Sequence, residues 1–237
     1  MAQSYFIWNG VDCRDKGIKL SGPVPIVRPE ERVQHVEIPG RSGDLTELEG
    51  DQIYNSYIQT ASIMVPGGYR VREIYNWLKG AGYVTFSGEP DRKQAARIVG
   101  AITLNKHSRN LDWWVGDVQF YCQPLKQKLI EETVQITSSG SAVINNGDVT
   151  SRPKITAKAS GTSLTITVGG KTLTVSGLTA NNEYIIDSDI MEVSNAARTA
   201  LITKDSLGDF PMLAPGSNTI TGSGWSKLVI DRRERFL

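Results

Sequence analysis

The order of apolar and polar positions along the chain predicts many short β-strands and a single helix. Tyr5-Phe6-Ile7-Trp8 is β-prone, and Asn9-Gly10 after it has the chemistry of a tight turn. Gly17 to Leu20 reads as a second short strand, and Pro23, Pro25 and Pro29 then keep the backbone extended or turning. Arg32-Val33-Gln34-His35-Val36-Glu37-Ile38 alternates apolar and polar residues, which predicts a strand with one buried face. It ends in the turn-rich stretch Pro39-Gly40-Arg41-Ser42-Gly43-Asp44. Tyr57 to Val65 is again strand-like. After Pro66-Gly67-Gly68, the spacing of Val71, Ile74, Trp77 and Leu78 predicts a helix over Arg70 to Lys79, with Gly80 or Gly82 as its left-handed cap. Tyr83 to Phe86, Ala95 to Leu104 and Trp113 to Tyr121 alternate as strands, with a turn at Gly88 to Asp91.

Around Gln123-Pro124-Leu125 the composition shifts to Ser, Thr, Gly and Asn. Strands are expected at Thr133 to Thr137, from Arg152 to Thr156, at Glu183 to Asp187, Glu192 to Val193, Leu201 to Ile202, and Leu228 to Ile230. Asn145 to Asp148 reads as a turn. The strongest local signal is Leu164 to Val168 and Lys171 to Val175 flanking Gly169-Gly170, a two-residue hairpin. Leu164, Ile166 and Val168 are expected to face a core, and Thr165 and Thr167 water. The fold class is therefore mainly β: a β-rich first domain with one packed helix over 1–124, completed by 231–237, and an antiparallel β-sandwich over 125–230.

Composition narrows the function without naming it. The 26 basic and 25 acidic residues leave a net charge of +1, which points to neither nucleic acid nor an anionic membrane. No apolar run approaches the roughly 20 residues that span a bilayer, and the N-terminus does not read as a signal peptide, so folding in a cytoplasm is expected. Cys13 and Cys122 are expected as reduced thiols, with a bridge between them left open, and two cysteines with His35 and His107 do not read as a four-ligand zinc site. Gly40-Arg41-Ser42-Gly43 lacks the second glycine of a nucleophile elbow, because Asp44 occupies that position. Asp187 and Asp189 could be a carboxylate pair or calcium ligands, but the ordinary reading is a loop cap or a partner for a base. Arg232, Arg233, Glu234 and Arg235 suggest a solvated strand end or a docking arm rather than a phosphate site. For Trp113-Trp114, strand alternation puts one ring in the core and one outside. No catalytic residue, cofactor site or metal site is read.

Several phrases, in order, resemble the distal tail proteins of long-tailed bacteriophages, the Dit family. Tyr5-Phe-Ile-Trp-Asn-Gly10 with Asp15-Lys-Gly-Ile18 is similar to that family's start, and Val36-Glu-Ile-Pro-Gly-Arg-Ser-Gly-Asp44 to its most distinctive segment. The helix with Trp77-Leu78, then Val118-Gln-Phe-Tyr-Cys-Gln-Pro124, continues the order. Asn145-Asn-Gly147, Ser151-Arg-Pro-Lys-Ile155, Gly208 to Leu213 and Pro215 to Ile220 resemble the family's galectin-like sandwich.

The resemblance implies a structural virion component at the tail tip, made in the host bacterial cytoplasm. It implies a homohexameric ring that continues the tail tube and holds the host-adhesion device. The implied partners are the major tail tube protein, the tail-associated lysin or fibre base, the tape-measure protein and a receptor-binding protein, with DNA passing through unread. Turns Pro39, Gly40, Arg41, Gly43 and Asp44, and the loop with Gln52 and Asn55, are the candidate subunit-interface residues. The alternative is a carbohydrate-binding adhesin that uses Trp225 or Trp114. Galectin sites unite His, Asn, Arg and Trp. Here Trp225 and Asn218 lie in the second half, whereas His35 and His107 lie in the first.

Overall fold

The computed structural model describes residues 4–48, 50–109 and 111–237. Two compact units form: one ends at Leu129 and takes in Leu237, and the other is Ile130–Phe236. The first unit contains β1 (Phe6–Trp8), β2 (Val11–Asp12), β3 (Lys19–Leu20), β4 (Val33–Glu37), β5 (Asp44–Leu48) and β6 (Tyr57–Pro66). After α1 (Val71–Trp77) come β7 (Ala81–Phe86), β8 (Arg92–Val99), β9 (Asn105–Lys106) and β10 (Trp113–Lys128).

The main sheet runs β2-β1-β7-β8-β10-β6-β3, every neighbouring pair antiparallel, with β9 beside the start of β10. Phe120 on β10 anchors its core. The Phe120 ring centroid lies 5.3 Å from Phe6 and 5.6 Å from both Trp8 and Phe86. Edge-to-face geometry of this kind suits the aromatic quadrupole. The helix lays its apolar stripe on this cluster: Ile74 is buried within it, as is Leu78 just past the helix end, and Trp77 stacks on Phe6 at 5.9 Å. The regular helix is shorter than the expected Arg70 to Lys79, because Gly68–Arg70 forms a 3-10 turn before it and Leu78 leaves helical geometry after it.

Two strand boundaries differ from the sequence pattern. The predicted run Ala95 to Leu104 ends as β8 at Val99, and only the two-residue β9 follows. Conversely, β10 continues through Pro124 to Lys128. Its pairing with β8 shifts register between Cys122 and Lys126, and a proline without an amide donor is tolerated at such an irregularity. Cys13 and Cys122 are free thiols buried in the same core, and burial pushes Cys122 up to about 12.

The second unit is a sandwich of two five-stranded antiparallel sheets. One is ordered Thr133–Ile136, Trp225–Asp231, Lys154–Ala159, Glu183–Asp187, Glu192–Asn195. The other is ordered Ser141–Asn145, Gly216–Ser223, Ser163–Val168, Lys171–Ser176, Ser206–Gly208. Inward residues of both, including Ile155, Ile186, Ile230, Ile166, Leu173 and Ile220, share one core. The Gly169-Gly170 hairpin forms with Val168 opposite Lys171. Both glycines take positive φ (58° and 79°), the combination a twisted two-residue turn requires. Leu164, Ile166 and Val168 are buried as the alternation predicts, while the Thr167 and Thr172 hydroxyls meet at 2.7 Å on the outer face. Leu201 to Ile202 is not a strand; Leu201 makes an isolated bridge to Ser194. The protein is thus mainly β with one α-helix among the described residues.

Candidate functional site

Among the described residues, β4 and β5 pair only with each other, from Val33–Leu48 to Glu37–Asp44, and form a two-stranded arm. The sequence predicts one buried face for Arg32 to Ile38. Instead every residue from Gln34 to Leu48 within the two strands is exposed, and Val33 alone is half-buried. The physical reason is that, among the described residues, the arm is a separate two-stranded sheet outside both hydrophobic cores, so its apolar positions remain at the surface. Val36, Ile38 and Leu45 are 36%, 38% and 37% exposed, and Leu48 is 62% exposed. Val36 lies opposite Leu45, so these two share a face near the tip. An isolated two-stranded ribbon is marginal in water and gains stability when a neighbour covers it.

The candidate interface residues fall at the two ends of this arm. Pro39, Gly40, Arg41, Gly43 and Asp44 form its tip, where Gly40 and Gly43 take φ of 81° and 80°. Gln52 and Asn55 lie at its base. There the Arg32 amide donates to Ile53 O at 2.9 Å and the Asn55 amide to Glu30 O at 2.8 Å. Asn55 Oδ1 also accepts from Arg32 Nε at 3.2 Å, so this side chain helps join the two limbs. The exposed apolar residues Val36, Ile38, Leu45 and Leu48 were not singled out from sequence. The alternation that carries them was visible, but it cannot say whether a strand's apolar face meets its own chain.

The other candidate residues are built into the second unit. Arg233 grips Asp187 with two hydrogen bonds, 2.6 and 2.9 Å long, and the Asp189 amide donates to the same carboxylate at 3.2 Å. Arg198 lies 3.6 Å away. The C-terminal basic cluster is therefore not a solvated strand end. Arg232 is buried, donating to Ile144 O at 2.8 Å and pairing with Glu234 at 3.0 Å and Glu132 at 3.1 Å. Glu234 in turn accepts from the amide and side chain of Asn146. Buried charges are held only when paired in this way.

Burial would raise the Asp187 carboxyl, but the Arg233 hydrogen bonds and charge, with the Asp189 amide and Arg198, outweigh it and hold it below the ordinary carboxylate value. A depressed folded pKa contributes stability that is present above the unfolded value, roughly 3.9, and is lost as pH falls through the folded value. An acid titration of thermal stability is expected to show this loss in the second unit below about pH 4. Asp187→Asn removes that component and, at neutral pH, lowers stability by about 1.5–3 kcal/mol, the range for a hydrogen bond to a charged group.

Trp225 is 9% exposed, and its Nε1 donates to Thr165 O at 3.1 Å. Asn218 bonds the backbone of Ala214 and Gly216. Both serve the sandwich interior and its loop. Trp114 packs partly against the core of the first unit, and Lys19 stands 5.3 Å over Trp113. Among the described residues, no group of three or more His, Cys, Asp or Glu could hold a metal ion, and no helix is long and apolar enough to cross a membrane.

A β-rich unit with one packed helix and a projecting arm, followed by a ten-stranded sandwich, defines the architecture. The same fold is seen in the Dit protein (gp 19.1) of phage SPP1, described as a paradigm of the hub adsorption apparatus in phages infecting Gram-positive bacteria. The alignment covers 100% of both chains, with a TM-score of 0.78 and 20% identity. A chain of the phage P2 baseplate in its activated conformation with Ca aligns over 100% of both chains at a TM-score of 0.48 and 8% identity. No protein-family profile and no curated protein sequence matches the chain.

Proposed function

We propose that the protein is a structural component of a phage tail tip, a distal tail protein. In this reading six copies close into a ring that joins the tail tube to the host-adhesion device and lets the genome pass. The first unit forms the ring, and the second unit is the galectin-like sandwich. The observation that carries the proposal is the arm, whose apolar residues stay exposed on a fold shared over the whole chain with a phage hub protein. One arm that covers the next copy makes a head-to-tail contact, and such contacts close into a ring when the rotation permits. The role is structural rather than catalytic. The tail tube protein, the lysin or fibre base, the tape-measure protein and a receptor-binding protein are the partners this position requires.

Antibody labelling of intact virions tests the location. Gold particles at the tip of the tail are expected. Label along the tube, on the head, or absent from assembled particles contradicts the proposal.

A further inference from the structure

The outward face of β8 carries two cations without acidic partners. Gln94 and Ala96 are buried on the core side, so Lys93, Ala95 and Arg97 share the opposite face. Tyr83 lies across from Ala95 on β7, and Tyr121 across from Arg97 on β10. The two tyrosines are 46% and 42% exposed, so the face is aromatic as well as basic. Among the described residues, neither Lys93 nor Arg97 forms an ion pair; Lys93 Nζ stands 5.4 Å from the centre of the Tyr83 ring. Between Tyr83, Lys93, Ile7 and Leu129 the face opens into a cleft of about 380 Å³, with room for an aliphatic side chain.

The complement of such a face is an extended segment with an acid, a large apolar residue and a second acid at alternate positions. Four residues of any strand span about 13 Å, so both acids then reach both cations, in either chain direction. The chain holds this pattern twice. In Glu183, Ile185 and Asp187 it is already used, because Ile185 is 9% exposed and Arg233 grips Asp187. The other instance is Asp205, Leu207 and Asp209. Ser206–Gly208 is an edge strand of the sandwich, with Leu207 opposite Thr174 on the outer face. The Asp209 amide donates to Thr172 O at 3.1 Å, which carries the same register onward. Leu207 is 78% exposed. Asp205 and Asp209 are exposed too and, among the described residues, form no ion pair.

We propose that the Asp205, Leu207 and Asp209 edge of one copy's sandwich packs on the β8 face of another copy, its acids on Lys93 and Arg97 and Leu207 between Tyr83 and Tyr121. This rests on the reading that copies of the chain assemble, and it names a contact made outside the arm.

Two full-length variants test it, read as the concentration at half-assembly by light scattering. Reversing the face with Lys93→Glu and Arg97→Glu is expected to raise that concentration about tenfold, and reversing the edge with Asp205→Lys and Asp209→Lys to do the same. Mixing the two variant chains is expected to restore assembly, because the reversed face of one then meets the reversed edge of the other. That rescue also shows that both chains are folded and that the contact runs between copies. Leu207→Ser is expected to cost about tenfold by itself. If the native protein assembles and the variants match it, or the mixture does no better than its parts, the contact is overturned and the ring reading stands. If the native protein stays a single chain at every concentration, both fall.

Discussion

Replacing Val36, Ile38 and Leu45 together by serine is expected to weaken assembly about ten- to a hundredfold while leaving each chain folded. These side chains belong to neither hydrophobic core and are each about one-third exposed, so polar substitution leaves both cores intact. In an assembly the same three would be covered. Full burial of an aliphatic side chain contributes about 1.5–3 kcal/mol. Only about a third of each side chain remains to be covered by a neighbour, so the three together forfeit about 1.5–3 kcal/mol at each repeated contact and raise the assembly concentration about ten- to a hundredfold, at about 1.4 kcal/mol per tenfold. Light scattering reads the loss of mass, and calorimetry is expected to find the melting temperature of the single chain within about 2 °C of the parent, as for surface substitutions. A variant that still assembles would mean the arm is not the joint. One that melts far lower would mean its apolar face is packed within the chain after all.

The second large effect lies in the core beneath the main sheet. Phe120→Ala is expected to destabilise the first unit by about 3–5 kcal/mol, the range for removing a fully buried aromatic. Phe120 has no exposed surface, and Phe6, Trp8 and Phe86 all rest on it, so the lost ring leaves a cavity between β1, β7 and β10. Denaturant unfolding followed by tryptophan emission reports the change, because Trp8 packs directly against the deleted ring. The sandwich has a core of its own, so its unfolding transition is expected to stay in place.

What could be read from sequence divides along a physical line. Gly169-Gly170 and its flanking Thr-Ile-Thr and Thr-Leu-Thr runs specify their hairpin locally, since the turn residues and the strand alternation agree. The Arg32 to Ile38 pattern is just as local, and it does specify a strand. It fails on burial, because alternation says that one face is apolar and leaves open whether the cover comes from the same chain. The Arg232 network was invisible for a different reason: its partners Glu132 and Ile144 lie 100 and 88 residues away. Tertiary pairing over such distances turns what looks like a charged, solvated tail into a buried ionic brace. Pro124 misled in the same way, since the register shift that admits it depends on the neighbouring β8.

Trp225 and Asn218 bear on the adhesin alternative. A sugar stacks on an exposed ring face, but Trp225 is only 9% exposed with its indole nitrogen bonded to Thr165 O, and the Asn218 amide is bonded to loop carbonyls. Their places in the sandwich are those of structural residues.

The central claim is that this chain builds a ring, and its mass in solution decides it. Light scattering of the purified protein over a concentration series is expected to reach six times the 26.0 kDa chain mass, or a multiple of that ring. A single-chain mass held at every concentration contradicts the account.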